Sequence, residues 1–193
     1  MSKRIALFSA AAFAALALTA AVVAPVSAQD KMKSETSGEK TVMVGGAAMF
    51  PSKNIIQNAV NSKDHTTLVA AVKAAGLVET LEGRGPFTVF APTNSAFGKL
   101  PAGTVDSLVK PENKAALTKI LTYHVVPGKL EASSLTDGKK LKTVEGEELT
   151  VKHQDGKVWI VDAKGGTSMV TIANVNQSNG VIHVVDNVLM PAS

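Results

Sequence analysis

The run Phe87-Thr-Val-Phe-Ala-Pro-Thr-Asn-Ser-Ala-Phe97 constrains this chain most, because it packs a strand, its stop and a helix start into eleven residues. Phe87 to Ala91 sets bulky against small residues around β-branched Thr88 and Val89, the texture of a buried strand. Pro92 has a fixed φ and biases Ala91 toward extended backbone, so the strand is expected to end there. Thr93 or Asn94 then caps a short helix that puts Phe97 and Leu100, three apart, on one face. Gly85-Pro86 before the unit and Leu100-Pro-Ala-Gly103 after it act as punctuation. The Asn94 amide is expected to cap a helix or bridge two elements rather than bind a ligand.

The rest of the chain divides into a helical half and a strand half. Ile55, Ile56, Ala59 and Val60 have helical spacing, and a second helix, with Asp64 as its candidate cap, turns Leu68, Val69, Val72 and Ala75 toward a core. Gly76 stands where a left-handed C-cap belongs, with a further turn over Leu77 to Leu81. Thr104 is the candidate cap of a short helix ending near Val109. Pro111 suits the first turn of another that runs to Tyr123. Strands are expected over Lys140 to Val144, Glu148 to His153, Lys157 to Asp162, Ser168 to Val175 and Val181 to Leu189. Gln154-Asp155-Gly156 reads as a hairpin turn. This segregation indicates an α+β fold, with helices concentrated in the N-terminal half around a mainly antiparallel sheet or wedge from the C-terminal half.

The N-terminus reads as an export signal. Lys3 and Arg4 precede an apolar, alanine-rich run from Ile5 to about Val23, and Val26-Ser27-Ala28 is a small-residue cleavage pattern. Residues 1–28 are therefore expected to be a signal peptide, residues 29–45 a flexible linker and residues 46–193 one domain. Gln29 to Lys40 is rich in Lys, Glu, Ser and Gly without an aromatic, and Gly45-Gly46 interrupts the apolar stretch that leads into the domain. Losing Lys3 and Arg4 takes 20 basic residues to 18 against 16 acidic ones, so a net charge of +4 falls to +2. The remaining bases are interleaved with acids and the aromatics are few, so no platform for nucleic acid is expected. With no cysteine, neither disulfides nor a thioether lipid anchor is available.

Motifs that carry chemistry are scarce. No Gly-x-Ser-x-Gly elbow, His-Glu-x-x-His helix, phosphate-cradling loop or EF-hand loop occurs. His65, His124, His153 and His183 are scattered without a close metal-ligand spacing. No catalytic residue, cofactor or metal is expected. Asn176-Gln177-Ser178 matches the glycosylation acceptor pattern and is read as a chance match. His124 and His183 sit among aliphatic residues, so buried rings needing hydrogen-bond partners are expected, with Asn94, Thr93 or Asp186 as candidates. Asn94, His124 and the His183 strand are expected to form one hydrogen-bonded cluster.

Three ordered motifs carry a resemblance. Phe87–Phe97, Leu121-Thr-Tyr-His-Val-Val-Pro-Gly128 and Asn179-Gly-Val-Ile-His-Val-Val-Asp-Asn-Val-Leu-Met-Pro191 resemble the two signature boxes and the central Tyr-His motif of the fasciclin domain. The likeness runs from about Phe50 to Pro191. It implies a fasciclin-like fold and a non-catalytic module for cell adhesion or for binding a surface or matrix protein or glycan. The implied location is secreted or periplasmic and associated with the cell surface, with no membrane span after cleavage. It also places Tyr123 and His124 on the motif credited with adhesion in some animal members. Lys129 and Glu131 are the neighbouring polar candidates for contact, while Thr93, Asn94 and His183 read as structural. Packing and bracing of the sheet is the favoured role for Tyr123 and His124. The competing readings are a periplasmic binder of a small ligand or stress-related molecule and, behind it, a hydrolase.

Overall fold

The protein is described by a computed structural model over residues 40–192. The segment read as a signal peptide and most of the expected linker lie outside the described residues. The first element is a hairpin of β1 (Val42–Val44) and β2 (Ala47–Met49), inside and beyond the segment read as linker. Its turn is Gly45-Gly46, both at positive φ (57° and 76°), the conformation that a two-residue hairpin turn demands.

Among the described residues six α-helices follow, all before residue 124: α1 (Ile55–Ala59), α2 (Thr66–Ala75), α3 (Val78–Glu82), α4 (Asn94–Gly98), α5 (Thr104–Leu108) and α6 (Lys114–Tyr123). Their ends follow local chemistry. Asn54 and Gln57 exchange bonds in a capping box at α1. Gly76, at φ 73°, ends α2, and the amides of Gly76 and Leu77 bond back to Lys73 and Val72. Thr93 caps α4 through its hydroxyl, which accepts from the Ala96 amide. Two expected caps are corrected. Thr104 is the first residue of α5, behind Gly103 in the left-handed region, and its side chain caps nothing. Asp64 lies in a 3-10 turn, Lys63–His65, and the start of α2 is capped instead from α4 by Asn94.

Among the described residues seven strands form one sheet. To β3 (Phe87–Pro92) it adds β4 (Val125–Pro127), β5 (Lys140–Lys142), β6 (Glu148–Gln154), β7 (Lys157–Val161), β8 (Thr167–Gln177) and β9 (Gly180–Val185). Their order is β4-β3-β9-β8-β7-β6-β5, antiparallel throughout except between β3 and β9. Asp155 and Gly156, both at positive φ, make the expected β6–β7 turn. Past β5 the Val144 amide donates to the Val125 carbonyl of β4 at 2.8 Å, so the sheet curls round and its two ends meet. Strand β4 was not anticipated, because Pro127-Gly128 masks a run of only three residues.

Pleating divides the core in two. Val89, Ala91, Ile182 and Val184 face α1, α2 and α6, while Phe90, Val126, Val151, Ile160 and Val185 fill the inside of the curled sheet. Strand β9 is buried at all six positions, as a strand covered on both faces must be. Strand β8 bulges between Val170 and Val175, and Asn174 adopts φ 58° there.

Candidate functional site

The Tyr-His pair closes α6 and turns inward. Tyr123 is wholly buried; its hydroxyl donates to the Glu148 carbonyl at 3.3 Å and accepts from the Ala163 amide at 2.8 Å. Burial pushes the phenol up to about 12, and the charges of Asp162, Glu147 and Glu145 act in the same direction. The neighbouring Asp162 carboxylate is committed to the amides of Lys164, Gly166 and Met190.

His124 is also buried, and its two bonds fix its tautomer. Nδ1–H donates to the Ile120 carbonyl at 2.8 Å, so Nε2 is the acceptor for the Leu189 amide at 3.0 Å. A second proton would displace that amide and be stranded in an apolar surround. Burial accordingly lowers the imidazole to about 4, against opposing contributions from the Ile120 carbonyl and Asp162. His183 is held in the opposite sense: Nε2–H donates to the Leu130 carbonyl at 2.7 Å, and the ring stacks on Phe90 at 5.7 Å between centroids. Burial lowers its pKa as well.

Asn94 belongs to neither ring. Its Oδ1 accepts from the Thr67 amide at 3.0 Å and the Thr66 hydroxyl, and its Nδ2 donates to the Lys63 carbonyl at 2.8 Å. The expected single cluster of Asn94, His124 and His183 is therefore corrected to three separate networks. Asn94, Thr93 and Asp186 do not serve the rings; main-chain groups do. Asn94→Ala is expected to cost about 1–3 kcal/mol, since the α2 amide and the Lys63 carbonyl lose their partner together. Thermal melts of the two proteins check it, and coincident curves would rule out this bridge as a stabilising element.

His65 lines a cavity of about 40 Å³ among Met49, Ile56, Leu68 and Val175. Its Nδ1 meets the Ser62 hydroxyl at 2.9 Å, while Nε2 has no aligned partner. Burial lowers this pKa too, opposed by the Ala91 carbonyl and the Asp64 charge. The cavity has room for about one water and falls far below the roughly 300 Å³ of a metabolite site. The Asn176 side chain donates to the Asn174 carbonyl at 3.4 Å, while its Oδ1 is buried.

Lys129 and Glu131 leave β4 on the surface, roughly half exposed and 3.8 Å apart. Sequence reasoning missed a surface depression of about 500 Å³ beside Lys129, walled by Arg84 and by the loop entering β9. Its walls come from four loops distant in sequence, and no single motif marks it. Among the described residues no cluster of three or more His, Asp or Glu is placed to hold a metal, and no helix is long and apolar enough to cross a membrane.

A seven-stranded curled sheet with an apron of N-terminal helices and an inward Tyr-His pair defines the fold class. The sequence pattern of the fasciclin domain matches residues 63–191, and the chain belongs to the fasciclin family. It is 53% identical over 153 residues to Protein sll1483 of Synechocystis sp., covering 79% of this chain and 82% of that protein. It is 35% identical over 192 residues to Immunogenic protein MPB70 of Mycobacterium bovis, covering 95% and 93%. A segment of 124 residues is 38% identical to Transforming growth factor-beta-induced protein ig-h3 of Sus scrofa, covering 64% of this chain and 17% of that one. A solved FAS1 domain pair from the insect cell adhesion molecule Fasciclin I superposes with a TM-score of 0.65 at 18% identity. That match covers 73% of this chain and 52% of the domain pair.

Proposed function

We propose that this protein is an exported, non-catalytic adhesion module that binds a surface or matrix macromolecule. The observation that carries the reading is the commitment of its motif side chains to the fold. Tyr123, His124 and His183 each bond to main-chain groups, so none is free to act as a nucleophile or base. The family membership supports the same direction, and Lys129 and Glu131 supply exposed polar groups just past β4, the strand that follows the buried pair. A small-ligand role in the core finds no support in a cavity of about 40 Å³.

Cells lacking the protein are expected to attach to surfaces less well than complemented cells. Replacing Lys129 and Glu131 with alanine should weaken attachment and leave the melting temperature nearly unchanged, because exposed ion pairs contribute little. His124→Ala should lower both together. Equal attachment with and without the protein would defeat the adhesion reading.

A further inference from the structure

We infer that the depression between Arg84, Lys129 and the β8–β9 turn is a binding groove for an acidic polysaccharide. This inference rests on the adhesion reading and names the partner class and the place of contact. The groove measures about 500 Å³, within the size of sites that enclose small ligands or a few sugar units.

Its floor is built rigidly. The Asn179 side chain takes the Ile55 amide at 3.1 Å and donates to the carbonyls of Leu81 at 2.7 Å and Gly83 at 3.1 Å, tying α1, the end of α3 and the entry to β9 into one piece. The Phe87 amide donates to the Asn179 carbonyl at 3.0 Å. On the Lys129 side, the Thr88 hydroxyl donates to the Gly128 carbonyl at 2.6 Å and accepts from the Leu130 amide. A groove so tied holds its shape before a ligand arrives, which lowers the ordering cost of binding.

Its chemistry selects the ligand. Arg84 and Lys129 are exposed cations, and Arg84 makes no ion pair among the described residues. The anions nearby are Glu82, also exposed on the wall, and Glu131, which pairs with Lys129. Arg84 presents the planar donor fork that a carboxylate accepts in two parallel bonds. The Ser178 hydroxyl and the Gln57 Nε2 group have no bond among the described residues, and both are exposed, suited to sugar hydroxyls. Among the described residues of the lining Pro86 is the one apolar side chain, so the groove offers no pocket for the aromatic or aliphatic anchor of a peptide. Nor can a peptide add to the sheet here, because β3 is paired on both sides.

The exported protein, titrated with polygalacturonate oligomers, is expected to bind saturably and less tightly as salt rises. Neutral dextran should not bind. Arg84→Gln with Lys129→Gln should weaken polygalacturonate binding at least about fivefold, two exposed charges being lost, with an unchanged melting temperature. Absence of polygalacturonate binding, or binding that the double substitution leaves intact, overturns the groove. Equal affinity for poly-glutamate assigns an acidic peptide and overturns the polysaccharide. The attachment comparison of deleted and complemented cells is scored separately, so failure of the adhesion reading is distinguishable from failure of this site.

Discussion

The Gly180→Ala protein is expected to lose about 4 kcal/mol of stability or to fail to fold, at the upper end of what one substitution does. A Cβ at position 180 would stand 2.0 Å from the Phe87 carbonyl oxygen and 2.9 Å from the Phe87 carbonyl carbon and amide nitrogen. All three are backbone atoms in the parallel β3–β9 pair, so no side chain can swing away. The segment leading into β3 has the reciprocal restriction, since a Cβ at Gly85 would meet the Asn179 carbonyl at 2.0 Å. Gly98 provides the control: it lies in α4, where an added Cβ would have nothing within 4 Å, and Gly98→Ala should be neutral or stabilise by up to about 1 kcal/mol. Urea midpoints of the three proteins test this, and a Gly180→Ala midpoint matching that of the parent would refute the close approach.

Acid is expected to cost the fold about 3 kcal/mol between pH 6.5 and pH 4 through His124 alone. The unfolded ring takes a proton near 6.5 and the folded ring only near 4. Within that window the unfolded state binds more protons, so stability falls as pH falls, by up to about 1.4 kcal/mol per pH unit. The contribution is fully present above 6.5. His65 and His183, also lowered by burial, push in the same direction. Urea unfolding at pH 7.5 and pH 4.5 measures the loss, and His124→Gln should flatten the profile. Identical midpoints at the two pH values would contradict the neutral, doubly bonded imidazole.

What was legible in the sequence was mostly what is local. The Phe87–Ala91 strand, the Thr93 cap, the Gly76 C-cap and the Asp155-Gly156 turn each depend on neighbours within a few residues, and each is where the residues put it. The split into a helical half and a strand half carried the α+β arrangement, and the family motifs pointed to the fasciclin fold. What escaped notice depends on distance along the chain. Asn94 was rightly read as a bridge, but its partners at the start of α2 lie 27 and 28 residues away. The histidines were expected to find side chains and found carbonyls and amides, groups that every residue carries and no motif distinguishes. The groove was invisible for the same reason, since Asn54, Arg84, Lys129 and Asn179 meet only once the sheet has closed.

The parallel pairing of β3 with β9 also governs when this protein becomes a protein. Strand β9 stands between β3 and β8, yet it comes after both of them in the chain. The bonds of Asn179 reach back 124 residues to Ile55 and 98 to Leu81. A ribosome must therefore deliver every residue through Val185 before the middle of the sheet has its central member. Such long loops are slow to close, and their contacts reward the chain only at the end. Until then β3 and β8 have no strand between them, and the segment from Asn179 to Val185 acts as the latch that commits the chain to one shape.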